Sequence, residues 1–328
     1  MNSDEKAVLV KRNIVETITE EELKKLLEEK AHPRMYAGYE PSGKIHLGHM
    51  LTVNKLIDLQ RAGFKVMVLL ADLHANLNKK GTLEEIREIA EYNKECFIGM
   101  GLNPGKVDFV LGSEIQLDRE YFLNVQRLAL ETTLLRARRS MDIVGREEQD
   151  PRVARVLYPL MQVIDMITLG VDVAVGGIDQ RKIHMLARDN LPKLGHRPPI
   201  CLHLPLIHGL DGEDKMSSSK DNFISVDNDR EIIAKKLRKA YCPIGAIDGN
   251  PVLELYQYHI FRKFPRVRIE RPAKFGGDLE YGGYSVLKKD YAQDKVHPQD
   301  LKNSAVKYVS KILKPVKEHL IRKGYNND

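Results

Sequence analysis

Residues 36–49 read YAGYEPSGKIHLGH, and the next apolar run, residues 66–70, reads VMVLL. The first stretch opens as a short strand-like run, Tyr36 to Tyr39, and is broken by Pro41, Ser42 and Gly43. A helical pattern then runs from Leu47 to Ala62. Val66 to Leu70 is apolar throughout, as expected of a strand buried on both faces. Leu83 to Met100 repeats the helical period and Val107 to Leu111 the strand pattern. Strand–loop–helix alternation of this kind predicts a doubly wound, parallel α/β sheet. Residues 19–30 read as a capped amphipathic helix. From Arg119 to Ile143 the pattern is helical, and strands return at Val171 to Val175 and Cys201 to Leu206. After Asp227 no buried parallel strand is evident. Helical patterns dominate there, at Arg230 to Ala240, Leu253 to Phe264 and Leu301 to Lys323. The expected organisation is an α/β domain over residues 1–228, with a helical insertion at about 119–150, and a mainly helical domain over 229–328.

Composition narrows the class. The 328 residues are 42 % hydrophobic and 30 % charged, with a net charge of +6, an ordinary globular balance that permits a polyanionic partner without requiring one. Cys96, Cys201 and Cys242 are widely spaced and form no CxxC pair, so neither a zinc site nor a disulfide framework is expected. Met1 to Glu16 is charged and lacks the apolar core of a secretory leader. No apolar run reaches the length of a membrane span. A cytoplasmic protein is the expectation.

Two stretches carry nucleotide chemistry. Residues 38–44, GYEPSGK, match the first seven positions of a P-loop, but Ile45 stands where the magnesium-binding hydroxyl belongs, and Pro41 removes a backbone N–H. That reading is rejected. His46 and His49 instead sit three residues apart at a helix start, where free N–H groups and the helix dipole suit phosphate. Gly48 between them leaves room for a base or ribose. Taken alone, the pair could equally cap or pack against the helix. Residues 211–220, DGEDKMSSSK, form a polar loop in which Lys215 and the serine hydroxyls could close over triphosphate oxygens. By itself such a loop is a solvated surface segment; its position just after the strand Cys201 to Leu206, at a sheet's carboxyl edge, changes that.

A third constellation lies on an apolar helix. Tyr158, Gln162 and Asp165 fall at i, i+4 and i+7 among almost wholly apolar neighbours. A polar stripe on a buried helix faces either an internal hydrogen-bond network or a pocket.

Residues 46–49 and 215–219 resemble the two signature sequences of class I aminoacyl-tRNA synthetases. With residues 36–49, 69–74 (LLADLH), 158–165 (YPLMQVID), 170–177 (GVDVAVGG), 180–184 (QRKIH) and 210–219, the chain resembles tyrosyl-tRNA synthetases of the archaeal and eukaryotic type over nearly its whole length. The resemblance implies a Rossmann-like catalytic domain and a C-terminal anticodon-binding domain. It implies ATP as substrate, with Mg2+, and no organic cofactor. Tyrosine is activated to tyrosyl-adenylate and passed to the terminal adenosine of tRNA-Tyr. His46, His49, Lys215, Ser217 and Ser218 would be the catalytic set, with Gly48, Lys215 and Ser218 binding ATP. Tyr36 and Asp165 would hydrogen-bond the phenolic hydroxyl of tyrosine. Tyr158, Gln162 and Gln180 would hold its ammonium and backbone end, and Glu40 and His74 complete the tyrosine site. No protein-held metal is implied.

Residues 131–141, ETTLLRARRSM, belong by resemblance to the insertion that forms a homodimer near the acceptor stem. Arg181 and Lys182 match positions reading the first acceptor base pair. Phe275, His297 and Asp300 match positions contacting the anticodon, where Phe275 could stack on an unpaired base and Asp300 accept from a guanine edge. Lys302, Lys307, Lys311, Lys314 and Lys317 make the last helix basic, which suits phosphate. Residues 256–268 and the Gly282-Gly283-Tyr284 turn depart from the family pattern. The nearest rival, a tryptophanyl-tRNA synthetase, is disfavoured because an indole has no hydroxyl for Tyr36 and Asp165. A non-catalytic RNA-binding relative is disfavoured because every signature residue is present.

Overall fold

The computed structural model describes residues 3–41, 43–141, 152–213, 215–218 and 220–325. Ser42, residues 142–150 of the expected insertion, Asp214 and Ser219 lie outside the described residues. The chain divides into two compact units. One comprises residues 1–43, 52–94 and 101–205, the other residues 44–51, 95–100 and 206–328. The division therefore falls elsewhere than the expected 1–228 and 229–328. Backbone pairing explains part of it: Val226 N donates to Ile45 O (2.9 Å) and Leu47 N to Ile224 O (3.1 Å). Side chains explain more, because Glu95 meets His319 at 2.6 Å and Lys323 at 3.2 Å.

The first unit is built on a six-stranded sheet. Its strands are β1 (Glu16–Ile18), β2 (Arg34–Tyr39), β3 (Lys65–Leu70), β4 (Val107–Leu111), β5 (Val173–Gly177) and β6 (Ile200–Leu204), in the order β1-β6-β5-β2-β3-β4. All neighbours run parallel except β1, which pairs antiparallel with β6. Five strands match the sequence expectation to within two or three residues at each end. β1 was not foreseen: its three residues, Glu16, Thr17 and Ile18, carry no apolar run, because an edge strand has one partner and little to bury. β3 and β6 are buried almost end to end, as the apolar run of β3 predicts, and β6 buries the polar His203 with its apolar neighbours.

Strand order reverses on either side of β2, which pairs with β3 on one flank and β5 on the other. At such a switch point the connections leave in opposite directions and open a crevice beyond the carboxyl ends of the strands. The helix Ala154–Thr168 carries the polar stripe, with Tyr158 and Asp165 buried. The expected helical run from Arg119 is two helices, Arg119–Glu131 and Leu134–Ser140. It breaks at Thr132 and Thr133 because the Thr133 hydroxyl accepts from Arg136 N (3.2 Å) and starts a new helix.

The second unit is mainly helical, as expected, but includes an antiparallel hairpin of β7 (Val267–Ile269) and β8 (Leu279–Tyr281). The long helix Pro298–Arg322 packs on Arg230–Lys239. The predicted helix Leu253 to Phe264 is interrupted: Pro251–Leu255 passes through a π-helical turn, Tyr256–Ile260, before Phe261–Lys263. That turn lies in the stretch whose sequence departs from the family pattern, and a π turn accommodates one residue more than the α repeat.

Candidate active site

The polar stripe lies in the first unit among other buried polar side chains. Asp165 is 1 % exposed. Its Oδ1 accepts from Gln116 Nε2 (2.8 Å) and from the Tyr121 hydroxyl (2.8 Å). Its Oδ2 is buried with no hydrogen-bond partner, as is His74 Nε2, which lies 3.9 Å from it. Burial raises the Asp165 carboxyl from its usual value near 3.8 to about 7, against the opposing pull of Gln116 and Tyr121. Burial lowers His74 to about 4, so its ring is neutral at pH 7. Gln116 Nε2 lies 3.2 Å from His74 Nδ1. Because an amide nitrogen donates, Nδ1 accepts and the ring proton sits on Nε2. These buried side chains thus include one unfilled acceptor and one unfilled donor side by side, an arrangement that buried polar groups avoid unless a ligand completes it.

Tyr36, on β2, is 1 % exposed. Burial and, secondarily, Asp165 raise its hydroxyl well above the usual phenol range, while Gln162 hydrogen-bonds it. Gln162 Nε2 also donates to Gln180 Oε1 (3.1 Å). Glu40, just beyond β2, accepts from Asn78 Nδ2 (2.6 Å) and from the Tyr158 hydroxyl (3.3 Å). Burial raises its carboxyl in spite of Asn78. The Tyr158 ring meets His74 edge-on at 4.4 Å. Glu40, His74, Gln116 and Gln180 follow β2, β3, β4 and β5 respectively, so four strand ends supply one site.

The signature segments belong to the second unit. His46 N–H donates to His49 Nδ1 (3.2 Å), and Gly48 N–H donates to His46 Nδ1 (3.1 Å). Both Nδ1 atoms are therefore acceptors, and each neutral ring carries its proton on Nε2. Burial, then His49, keeps His46 well below the usual histidine range, and burial, then the charge of Lys215, lowers His49 to about 4. The two rings present uncharged N–H donors with centroids 3.9 Å apart. The space at Gly48 is used by the histidine itself, since a Cβ there would lie 2.9 Å from the His46 ring. The loop bearing Lys215 is not unstructured. Met216 N donates to Ile207 O (2.8 Å), and Ser217 N to Asn222 Oδ1 (2.9 Å). At its base Glu254 accepts from His208 N (2.8 Å) and meets His208 Nδ1 (2.7 Å).

These two constellations meet known proteins in one place. Residues 27–314 match the model of the class I tRNA synthetases (W and Y). A tyrosine–tRNA ligase of Methanopyrus kandleri is 60 % identical over 97 % of this chain and 98 % of its own. A tyrosyl-tRNA synthetase from Archaeoglobus fulgidus, crystallised with L-tyrosine, superposes with a TM-score of 0.94 at 55 % identity, covering 97 % of this chain and all of that one. The chain belongs to the tyrosyl-tRNA synthetase family. A tryptophanyl-tRNA synthetase from Aeropyrum pernix is more distant, at 25 % identity and a TM-score of 0.74 over 92 % of this chain and 82 % of its own.

Sequence reasoning missed Gln116, Tyr121 and Asn78 in this synthetase. Asp118 between the first two signals only a helix start, and caps it by accepting from Glu120 N and Tyr121 N. Nothing in the spacing tells which side chain turns inward. The expected tRNA-contact residues fall into two places. Arg181 and Lys182 start the helix Arg181–Asn190 in the first unit. In the second, Phe275 is 60 % exposed at the end of a tight turn, and His297 caps the helix whose first turn holds Asp300. Between these two segments Arg271 donates to Lys295 O (3.1 Å).

The raised Asp165 carboxyl has a sign. The folded state holds this proton more tightly than the unfolded chain, so the contribution to stability is full below about pH 4 and is lost as pH rises through about 7. In urea unfolding of the ligand-free protein, Asp165→Asn is expected to gain stability relative to wild type between pH 4 and 8. An unchanged difference across that range would contradict the raised value.

Proposed function

We propose that this chain is an ATP-dependent tyrosine–tRNA ligase whose amino-acid choice is made at Asp165. The observation that carries the reading is the unfilled pair in the pocket, Asp165 Oδ2 and His74 Nε2. A phenolic hydroxyl donates to the first and accepts from the second; phenylalanine does neither, and the indole N–H of tryptophan donates but cannot accept. Glu40, Tyr158, Gln162 and Gln180 offer acceptors for the substrate ammonium. Gln116 and Tyr121, bonded to Asp165 Oδ1, fix the orientation of the carboxylate.

The tyrosine carboxylate attacks the α-phosphorus of ATP, forming tyrosyl-adenylate and releasing pyrophosphate. A ribose hydroxyl of the terminal adenosine of tRNA then attacks the tyrosyl carbonyl and AMP leaves. The first step needs no protein base, since the nucleophile is already ionised, so the protein positions groups and stabilises charge. His46 and His49 donate their Nε2 protons to phosphate oxygens as neutral rings. Lys215, with Ser217 and Ser218, holds the departing pyrophosphate. Mg2+ accompanies the nucleotide; among the described residues no group of three histidine, cysteine, aspartate or glutamate side chains is arranged to hold a metal. Residues 229–328 serve anticodon recognition through Phe275, His297 and Asp300. The reaction belongs where tRNA is used, in the cytoplasm. Among the described residues no helix is long and apolar enough to cross a membrane.

The enzyme acts as a homodimer. Leu117, Phe122, Leu130 and Leu134 are 72, 60, 87 and 69 % exposed, a concentration of apolar surface on one stretch of chain that marks an interface. Sedimentation velocity is expected to give twice the 37.4 kDa chain mass, and Leu130→Asp with Leu134→Asp to give the monomer. A monomeric wild type would overturn the assignment.

ATP–pyrophosphate exchange tests the ligase reading. Exchange is expected with tyrosine and not with tryptophan or without amino acid. Lys215→Ala is expected to slow exchange far more than it weakens tyrosine binding. Asp165→Ala is expected to narrow the preference for tyrosine over phenylalanine by about 10- to 100-fold, the size of one or two buried hydrogen bonds. Exchange with tryptophan alone, or undiminished discrimination in Asp165→Ala, would contradict the reading.

A further inference from the structure

The unforeseen edge strand β1 supports a closed ring of polar groups outside the tyrosine pocket. The antiparallel register sets Glu16 directly opposite His203 on β6, and Glu16 Oε2 lies 2.8 Å from His203 Nδ1. His203 Nε2 lies 2.9 Å from His184 Nδ1. His184 is one turn along the helix from Arg181, and Arg181 Nε returns to both oxygens of Glu16, at 2.9 and 2.8 Å. His203 and His184 are wholly buried, while Glu16 and Arg181 are about one-third and one-half exposed.

Hydrogen-bond direction around the ring is fixed. An ionised Glu16 only accepts, so His203 donates from Nδ1 and accepts at Nε2, and His184 donates from Nδ1. Both rings are neutral, because burial lowers them, His184 to about 3. Burial works against the Glu16 carboxylate, but Arg181 and His203 outweigh it and keep its pKa below the usual range. A half-exposed ion pair of this kind adds little stability. What it provides is geometry. The guanidinium is held by Nε alone, and its two Nη amino groups, four N–H donors in a rigid plane, have no other partner among the described residues. Such a fork matches the edge of a base or a phosphate.

We propose that Glu16 is the positioning residue for Arg181, holding its guanidinium so that the two Nη groups meet the acceptor end of tRNA. The inference rests on the reading that Arg181 contacts tRNA. β1 is then a device for presenting an arginine: His203 and His184 anchor Glu16 to the sheet and helix, and Glu16 anchors the arginine. Glu16 touches neither tyrosine nor ATP in this account, so its loss bears on the second step and not the first.

The test uses the full chain, tRNA-Tyr transcripts and a transcript with the first acceptor base pair inverted. Glu16→Gln keeps an acceptor for His203 but removes the charge that holds Arg181. It is expected to leave tyrosine-dependent exchange within about twofold, raise the KM for tRNA about tenfold with little change in kcat, and weaken discrimination against the inverted pair, as loss of one charge-assisted contact predicts. Glu16→Asp, which keeps the charge on a shorter stem, is expected to fall between. Glu16→Gln combined with Arg181→Ala is expected to raise the KM no further than Arg181→Ala alone. A normal KM and normal discrimination in Glu16→Gln, with a raised KM in Arg181→Ala, would overturn the role of Glu16 and leave that of Arg181 standing. Equal loss of exchange and charging in Glu16→Gln would make Glu16 a structural residue and also overturn it. If Arg181→Ala charges normally, Arg181 does not read tRNA and both readings fall.

Discussion

A carboxylate with one oxygen satisfied and the other left empty governs this protein. Asp165 is buried on a helix of apolar residues, and ionising it there costs about 4 kcal/mol relative to water, taking its displacement from 3.8 to about 7 at 1.36 kcal/mol per unit. That cost is what remains after Gln116 and Tyr121 relieve part of the burial penalty at Oδ1. They leave Oδ2 to be completed by whatever enters. A site that is stable but incomplete binds the ligand able to finish it, and rejects a near-isostere by the desolvation left uncompensated. The sheet exists to hold that geometry: four strand ends deliver Glu40, His74, Gln116 and Gln180, and the apolar helix delivers Tyr158, Gln162 and Asp165.

The signature segments obey the opposite electrostatic logic. His46 and His49 are held neutral by burial and by backbone N–H groups that occupy both Nδ1 atoms. Neutral donors stabilise developing charge on phosphate without a strong ionic grip on the ground state. The full positive charge sits on Lys215 instead, on a loop whose shape is set by Asn222 and Glu254. In the proposed mechanism one part of the protein therefore selects by an unpaired acceptor and the other works through uncharged donors and the Lys215 cation.

Much of this was legible in sequence, and the misses share a cause. Mostly apolar runs, with single polar positions such as Asp108 in β4 and His203 in β6, meant that β2 to β6 were readable. β1 was not, because Glu16, Thr17 and Ile18 form a three-residue edge whose pairing depends on a distant partner. Tyr158, Gln162 and Asp165 stood out as polar residues on an apolar helix. Gln116 and Tyr121 did not, since each lies in a polar stretch where inward and outward positions look alike. The helical interruption at Tyr256–Ile260 was invisible because a π turn keeps the composition of a helix while shifting its phase. The nucleotide motifs pointed to adenylate chemistry, while the proposed choice of tyrosine rests on residues of the other unit.

The most direct measurement is proton release on tyrosine binding, followed by titration calorimetry at pH 7 in two buffers of different ionisation enthalpy. A free carboxyl near 7 is half protonated there, and a phenolic hydroxyl donating to it favours the ionised form. Release of about half a proton per tyrosine is expected at pH 7, vanishing above about pH 8.5 and absent in Asp165→Asn. Proton uptake, or no proton exchange at pH 7, would contradict the claim that an incomplete, buried Asp165 is what recognises the substrate.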